Sequence, residues 1–391
     1  MEDLRKRPVH IITDKRGMDS AYKALQDQDR LAVDTEANSF FAYMEKICVV
    51  QVSTPAKDWI FDMIALDTLE PIDELLTSKK ILKILHGADY DIVSLKRDFD
   101  IGISPVFDTV IACRLLGIEN FGLSDLAMKF AGVELSKEMQ RIDWSKRPFT
   151  TGQVEYLRND SRLLFKISEE LETMLGNAGL LEEADIEFRR LEAREWSKKE
   201  FDPDGWACIR GAIELAHDKK SILRELHILR NDLARQFDFP PRKLLPDRLL
   251  LKLAEKKPTS GRALAAVKGI PGFLRKKSSK EFIGAIRRGL LNDDLEKVRH
   301  VKQRASWGNV RLENDARARA SRLKDWRKQA CSKTGRTTIA ILPNPVLVEL
   351  AKNPPSTMNE LSGFPGLGKS RFKTFGKEIL EVLLERPRKK K

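Results

Sequence analysis

Along the first 200 residues, short runs of β-branched and aliphatic residues alternate with stretches whose apolar positions recur every three or four residues. Residues 30–35 (RLAVDT), 47–53 (ICVVQVS), 58–62 (DWIFD) and 81–86 (ILKILH) are bounded by polar clusters and predict strands. Stretches near 17–28, 71–79, 88–98, 107–117, 123–132 and 151–175 carry helical spacing. This alternation predicts an α/β domain. A charged segment, 186–203, predicts a connecting helix that ends at Asp202-Pro203.

Beyond that connector the strand signal stops, and helical spacing repeats itself at a lag of 97 residues. The run from Leu245-Pro246 to Leu253-Ala254 matches the run from Leu342-Pro343 to Leu350-Ala351. The same lag sets Pro258 on Pro355, Leu264 on Leu361, Gly269 on Gly366 and Leu229-Arg230 on Trp326-Arg327. Two copies of one small helical domain are expected, over about 208–292 and 315–386, joined by an Arg-rich stretch at 298–320 and followed by a basic tail at 386–391.

Charge sharpens this division. The chain has 391 residues, a length for two or three domains. Residues 1–200 hold 28 Lys and Arg against 37 Asp and Glu, and residues 201–391 hold 43 against 21, so a half of net −9 precedes a half of net +22. Such asymmetry points to a nucleic-acid-binding portion attached to a part with another task; a basic surface that only keeps helices soluble is the plainer alternative. No apolar run approaches the ~20 residues of a membrane span and no apolar secretory segment opens the chain, so a cytoplasmic protein without membrane contact is expected. Four scattered cysteines form no CxxC pair, and five histidines show no ligand spacing. Any metal chemistry is therefore expected to rest on carboxylates.

Asp34 and Glu36 end the run Leu31-Ala32-Val33-Asp34-Thr35-Glu36, and positions i and i+2 of a strand project to one side. Asp91 follows the polar turn His86-Gly87-Ala88-Asp89-Tyr90, and Tyr156 and Asp160 stand one helical turn apart. Taken singly, each acid is more often a solvated strand edge or helix surface. Together, four carboxylates and a tyrosine make what a two-cation phosphoryl-transfer site needs, with Mg2+ or Mn2+ held by oxygen ligands. A phenol is a poor base at neutral pH, so Tyr156 is expected to orient a water.

In this order and spacing, Asp34-x-Glu36, Asp91 and Tyr156-x3-Asp160 resemble the DEDDy 3′→5′ exonucleases of the ribonuclease H-like superfamily. Lys83-Ile84-Leu85-His86, Phe107-Asp108-Thr109 and the block from Leu135-Ser136-Lys137 through Asp143-Trp144-Ser145-Lys146-Arg147-Pro148 to Gln153-Val154-Glu155 sharpen the resemblance to the ribonuclease D family. The two repeats resemble HRDC domains, helical nucleic-acid-binding modules. The resemblance implies a ribonuclease H-like α/β exonuclease domain, a mixed sheet flanked by helices, over 1–205, then two all-α HRDC domains over 206–297 and 298–391. It implies catalytic Asp34, Glu36, Asp91, Tyr156 and Asp160, the four acids holding two divalent cations, Mg2+ or Mn2+. It also implies trimming of the 3′ trailers of tRNA precursors and other small stable RNAs from a single-stranded 3′ end; a monomer is expected. The segment after Glu36 departs from the family, since Ala37-Asn38-Ser39 precede Phe40 and Phe41.

Substrate contacts are more open. Phe40, Phe41 and Tyr43 are candidates to stack on a base, with ordinary packing under a loop as the alternative. His86 is a candidate for the terminal sugar or phosphate, or a structural histidine. Lys137 and Arg147 are candidates for the scissile phosphate. In the second repeat, Leu361-Ser362-Gly363-Phe364-Pro365-Gly366-Leu367-Gly368 enters a basic helix whose N-terminal amides, with Lys369, Arg371 and Lys373, could take a phosphate. The glycine spacing is not that of a Walker A loop, so no nucleotide cofactor is expected. The leading expectation is an exoribonuclease releasing nucleoside 5′-monophosphates. An exodeoxyribonuclease of the same fold, a non-catalytic nucleic-acid-binding protein, and a glycosidase lacking any carbohydrate cleft are the alternatives.

Overall fold

The computed structural model describes residues 7–136, 138–198, 200–291 and 314–385. Lys137, residues 298–313 of the expected Arg-rich joint and the basic tail from 386 fall outside the described residues. The first part is a six-stranded mixed sheet in the order β1-β4-β3-β2-β5-β6: β1 Val9–Ile12, β2 Arg30–Ala37, β3 Ile47–Ser53, β4 Asp58–Asp62, β5 Leu82–Leu85 and β6 Val106–Asp108. β3 runs antiparallel to both β2 and β4, and the other pairs are parallel. All seven residues of β3 are buried, which is why a nearly continuous apolar run sits inside the sheet.

Around the sheet lie α1 Lys15–Leu25, α2 Ile72–Thr77, α3 Asp89–Phe99, α4 Thr109–Leu116, α5 Leu123–Leu126, α6 Thr151–Arg162, α7 Leu164–Asn177 and α8 Leu181–Glu192. The alternation of β2 divides the core. Leu31 and Val33 join one cluster with Met18, Leu25, Ile92 and Leu95 of α1 and α3, whereas Ala32 joins a second with Leu164, Ile167 and Phe188 of α7 and α8. Each such fully buried aliphatic side chain is worth about 1.5–3 kcal/mol.

The four expected strands are present. β1 and β6 were not legible, being three or four residues long at the sheet edges. Part of the expected helix near 107–117 is β6, and the helix starts at Thr109, capped by the Asp108 carboxylate, which accepts from the Ile111 amide at 2.7 Å. The expected helix 151–175 is two, parted at Leu163. The connecting helix stops at Glu192 rather than near 202, because the next positions, Arg194 and Glu195, turn to ion pairs with Asp89 and Lys96.

The repeats hold their register in three dimensions. The first comprises α9 His217–Gln236, α10 Pro241–Leu244, α11 Asp247–Lys256, α12 Gly261–Ala265, α13 Gly272–Lys277 and α14 Ser279–Leu291. The second comprises α15 Asn314–Thr334, α16 Thr338–Ile341, α17 Asn344–Lys352, α18 Met358–Ser362 and α19 Lys369–Leu384. Pro246 and Pro343 enter their helices with the same backbone angles, φ −59° and ψ 148°. Buried Arg230 donates to Leu245 O and the Asp247 carboxylate; buried Arg327 donates to Leu342 O and Asn344 Oδ1. Ser260 and Thr357 cap α12 and α18 alike. Only the last helix differs, interrupted at Ser278 in the first copy and continuous in the second.

Two compact units result, and they do not follow chain order. One gathers the described residues of 1–37, 47–196 and 311–391; the other gathers 38–46 and 197–310. Among the described residues no helix is long and apolar enough to cross a membrane.

Candidate active site

Asp34 and Glu36 share the face of β2 that carries Ala32, and this face looks toward α6 and α7. α6 is nucleated by a capping box, Thr150 Oγ1 accepting from the Gln153 amide while Gln153 Oε1 accepts from the Thr150 amide. Its next turn presents Tyr156, and the turn after it Asp160. Asp34, Glu36 and Asp160 each offer a carboxylate oxygen within 4.8 Å of the others. Asp91, in the first turn of α3, accepts from Thr35 Oγ1 at 2.5 Å and lines the same cavity of about 340 Å³ with Asp34, Glu36, His86, Tyr156 and Asp160. All five expected catalytic residues thus meet. Through Leu135 and Ser136 this cavity adjoins a groove of about 1480 Å³ bordered by Phe130, Val133, Arg162, Phe165 and Lys166.

The electrostatics are those of converging carboxylates. Burial, then the charges of Asp91, Asp160 and Glu36, raise the Asp34 carboxyl well above the ordinary range. Glu36 is raised likewise, by burial and then by Asp160 and Asp91, with the Trp144 indole opposing. Asp160 is pushed up to about 7 by burial, against the hydrogen bond from Tyr156. Four converging carboxylates, of which Asp91 and Asp160 are buried, fit a divalent ion, whose hard charge would reverse each of these shifts. The Tyr156 phenol is raised far above its usual value by burial and then by Asp160 and Glu36, so it keeps its proton. Burial takes the His86 imidazole down to about 4. His86 Nδ1 lies 2.8 Å from Thr109 Oγ1, whose own proton goes to Leu85 O, leaving Nε2 as the acceptor of a neutral ring.

What holds α6 in place was not read from the sequence. Arg158, two residues from both Tyr156 and Asp160, is buried and donates to Asp58 Oδ2 at 3.3 Å and Arg7 O at 2.6 Å. Ser53 Oγ donates to Asp58 Oδ1 at 2.7 Å and lies 2.7 Å from Ser161 Oγ. This network lashes the helix to β3 and β4. Asp108 acts similarly, accepting from the Ala88 amide at 2.7 Å and so anchoring the turn that carries Asp91. The signal for Asp108 was its place before Thr109 at a helix start; for Arg158 and Asp58, a hundred residues apart, there was none.

Two expected substrate contacts, Arg147 and Arg371, are occupied within the fold. Arg147 clamps Asp62 through two hydrogen bonds of 2.5 Å, donates to Trp144 O, Lys146 O and Cys48 O, and lies 3.9 Å over the Phe149 ring. Its guanidinium is spent on the fold. Arg371 is fully buried, donating to Ala340 O, Ile339 O, Gly366 O and Glu187 Oε1. The amides expected to take a phosphate are taken by Glu182, whose carboxylate accepts from Lys369 N at 2.5 Å and Ser370 N at 3.1 Å. The Lys369 and Lys373 side chains stay exposed. Thr337 Oγ1 donates to Leu115 O, and Ala340 joins the core beneath α4 and α7, so the second repeat is docked on the sheet-bearing domain. Phe40 is half exposed and belongs with the first repeat, where Lys243 Nζ donates to its carbonyl at 2.7 Å. Lys137 lies outside the described residues.

Acids gathered on one face of a mixed sheet, ahead of two copies of a small helical module, are the arrangement that the resemblance to the ribonuclease H-like exonucleases implies. Residues 9–176 match the 3'-5' exonuclease family, and residues 219–286 and 316–383 each match the HRDC domain. The chain is 29% identical over 280 residues to the exosome complex component 10 homolog of Caenorhabditis elegans, covering 70% of this chain and 32% of that protein. The catalytic core of RRP6 from Trypanosoma brucei is similar with a TM-score of 0.68 at 26% identity, covering 74% of this chain and 81% of that one. Escherichia coli RNase D, described as an exoribonuclease involved in structured RNA processing, shares the fold with a TM-score of 0.65 at 21% identity, over 97% of this chain and 100% of that one. The chain spans 32%, 42% and 31% of the length of the first curated relatives it matches. The chain thus carries a 3'-5' exonuclease domain followed by two HRDC domains.

Proposed function

We propose that the chain is a divalent-metal-dependent 3′→5′ exoribonuclease that releases nucleoside 5′-monophosphates and trims the 3′ trailers of tRNA precursors and other small structured RNAs. The observation that carries this reading is the convergence of Asp34, Glu36 and Asp160 oxygens within 4.8 Å at a cavity beside a longer groove. In this reading Asp34, Glu36, Asp91 and Asp160 hold two ions, Mg2+ or Mn2+. Bound there, the ions supply a Lewis acid for the attacking water and neutralise the leaving oxygen. Tyr156, which keeps its proton, donates from Oη to Asp160 and orients rather than deprotonates. Neutral His86 offers the substrate a hydrogen-bonding ring without added charge. The Ser53, Asp58, Arg158 and Ser161 network keeps Tyr156 and Asp160 from rolling away from β2.

The remaining parts of the reading are a cytoplasmic monomer and domains bounded at 205/206 and 297/298. The test is a 5′-labelled tRNA precursor with a short 3′ trailer, incubated in Mg2+ with and without chelator beside Asp34→Ala. A ladder shortening from the RNA 3′ end, absent in chelator and in the variant and weaker on a DNA oligonucleotide, is expected. Digestion of DNA alone, or binding without cleavage, would sink the reading.

A further inference from the structure

The two repeats present the same face to different ends. In the second, that face is α16 and the start of α19, and it is consumed by docking: Ala340 is buried, Ser370 N meets Glu182, and Arg371 meets Glu187. At the equivalent positions, 97 residues earlier, the first repeat has Arg242 and Lys243 for Ile339 and Ala340, Phe273 for Ser370, and Phe237 and Phe239 for Thr334 and Arg336. Phe239 is 41% and Phe273 44% exposed. Phe273 meets Phe237 edge-on with centroids 5.4 Å apart, and Lys277 Nζ stands 5.9 Å from the Phe237 ring.

Residues 38–46 extend this surface within the same unit. The Tyr43 amide donates to Asp238 Oδ1 at 2.9 Å, beside Phe237, and the Tyr43 hydroxyl to Asn231 Oδ1 at 2.7 Å. Lys243 Nζ lies 5.2 Å from the Phe40 ring and 4.6 Å from the Phe41 ring, and Phe40 is 50% exposed. Half-exposed aromatic rings interleaved with cations would be costly as idle surface, and they have the chemistry that holds single-stranded nucleic acid: rings for bases, ammonium groups for phosphates.

We infer that this face of the first repeat, completed by Phe40 and Phe41, is a binding surface for single-stranded RNA, whereas the second repeat is a structural buttress. The RNA identity rests on the proposed exoribonuclease reading; the surface rests on the aromatic and cationic side chains. Arg242 shares its charge with Asp247 at 3.7 Å and Lys243 is bonded to the Phe40 carbonyl, so the exposed Lys276 and Lys277 carry the phosphate contacts.

The experiment titrates the full chain, in chelator, with an unstructured RNA oligonucleotide. The F239A/F273A and K276A/K277A pairs are expected to weaken binding about tenfold each, the lysine pair also lowering the slope of log K against log salt by about 2. F273W is expected to restore affinity lost in F273A, and K373A/K377A of the second repeat to stay within about twofold of wild type. Hydrolysis of a trinucleotide in Mg2+ is expected to be unchanged in every variant. RNA affinity unaltered in both first-repeat pairs would overturn the inference and leave the face to a protein partner. An inactive enzyme whose RNA binding still responds to these variants would overturn the exonuclease reading alone, since binding in chelator needs no chemistry.

Discussion

The two repeats share an interior and differ on one face. Arg230 and Arg327 each thread the core to bond a carbonyl and the side chain two residues beyond it, and Pro246 and Pro343 start the same helix at the same angles. Yet position 274 is a buried leucine and position 371 a buried arginine. The first closes its own hydrophobic core; the second reaches out of its repeat to Glu187 on α8. A duplicated module thus keeps the side chains that satisfy its own backbone and diverges where a neighbour is available. Divergence there is cheap in folding terms, because the inner hydrogen bonds and the packing of α11 and α17 are untouched.

This contrast can be broken at Arg371. Replacing it by alanine leaves buried Glu187 to Arg190 alone and strips the Ala340 and Ile339 carbonyls of their donor, and a loss of about 1–3 kcal/mol is expected, seen as earlier thermal unfolding and as protease cleavage within 314–385. The counterpart change, Leu274→Ala, is expected to loosen the first repeat only, by hydrogen exchange of α9 and α14. Equal loosening of both repeats by either variant would contradict separate roles.

Gly368 comes next. Its φ of +82° strains any side chain, and a Cβ there would collide with Ile186 Cδ1 of α8. Gly368→Ala is expected to cost about 1–3 kcal/mol and to undock the second repeat. Gly269→Ala, in the first repeat, meets only Leu249 Cδ1 at 3.5 Å and bears backbone strain alone. A smaller effect, up to about 1 kcal/mol, is expected from Glu182→Gln, which weakens the carboxylate on the α19 amides; the drop in melting temperature should shrink in high salt.

The smallest effect separates the repeats by pH. Burial, with the Arg230 charge adding, holds the His227 imidazole below its ordinary value, whereas the equivalent residue of the second repeat is Lys324. The unfolded chain takes up this proton before the folded one, so the contribution is complete above about pH 6.5 and is lost as pH falls toward the lower folded value. Hydrogen-exchange protection of α9 is expected to weaken between pH 7.5 and 5.5 by up to about 1 kcal/mol, with α15 unaffected and His227→Gln abolishing the response. Equal weakening of α15 would count against this origin.

Much of the carboxylate site was legible because its signals are local. A strand of period two puts Asp34 and Glu36 on one side, and a helix of period 3.6 aligns Tyr156 with Asp160. The lag of 97 residues was equally plain, since side chains that satisfy a repeat's own backbone recur with it. β1 and β6 were not legible because three or four residues carry too little pattern. The packing of two substrate candidates, Arg147 and Arg371, was not legible. Arg147 looked like a free cation in sequence, but nothing nearby announced Asp62, 85 residues away, as its partner. Glu182 likewise lies 187 residues before the amides it occupies.

Sequence alone determined the α/β start, the helical duplication and the acidic and basic halves, and it singled out the acids that the fold gathers, all of which follow from periodicity, composition and spacing within a few turns. Tertiary structure decided which cations are free and which repeat is spent on docking. It also drew Phe40 and Phe41 to the first repeat. Those outcomes depend on which distant groups satisfy a charge or an amide once water is excluded, and burial sets that cost only when the chain has folded.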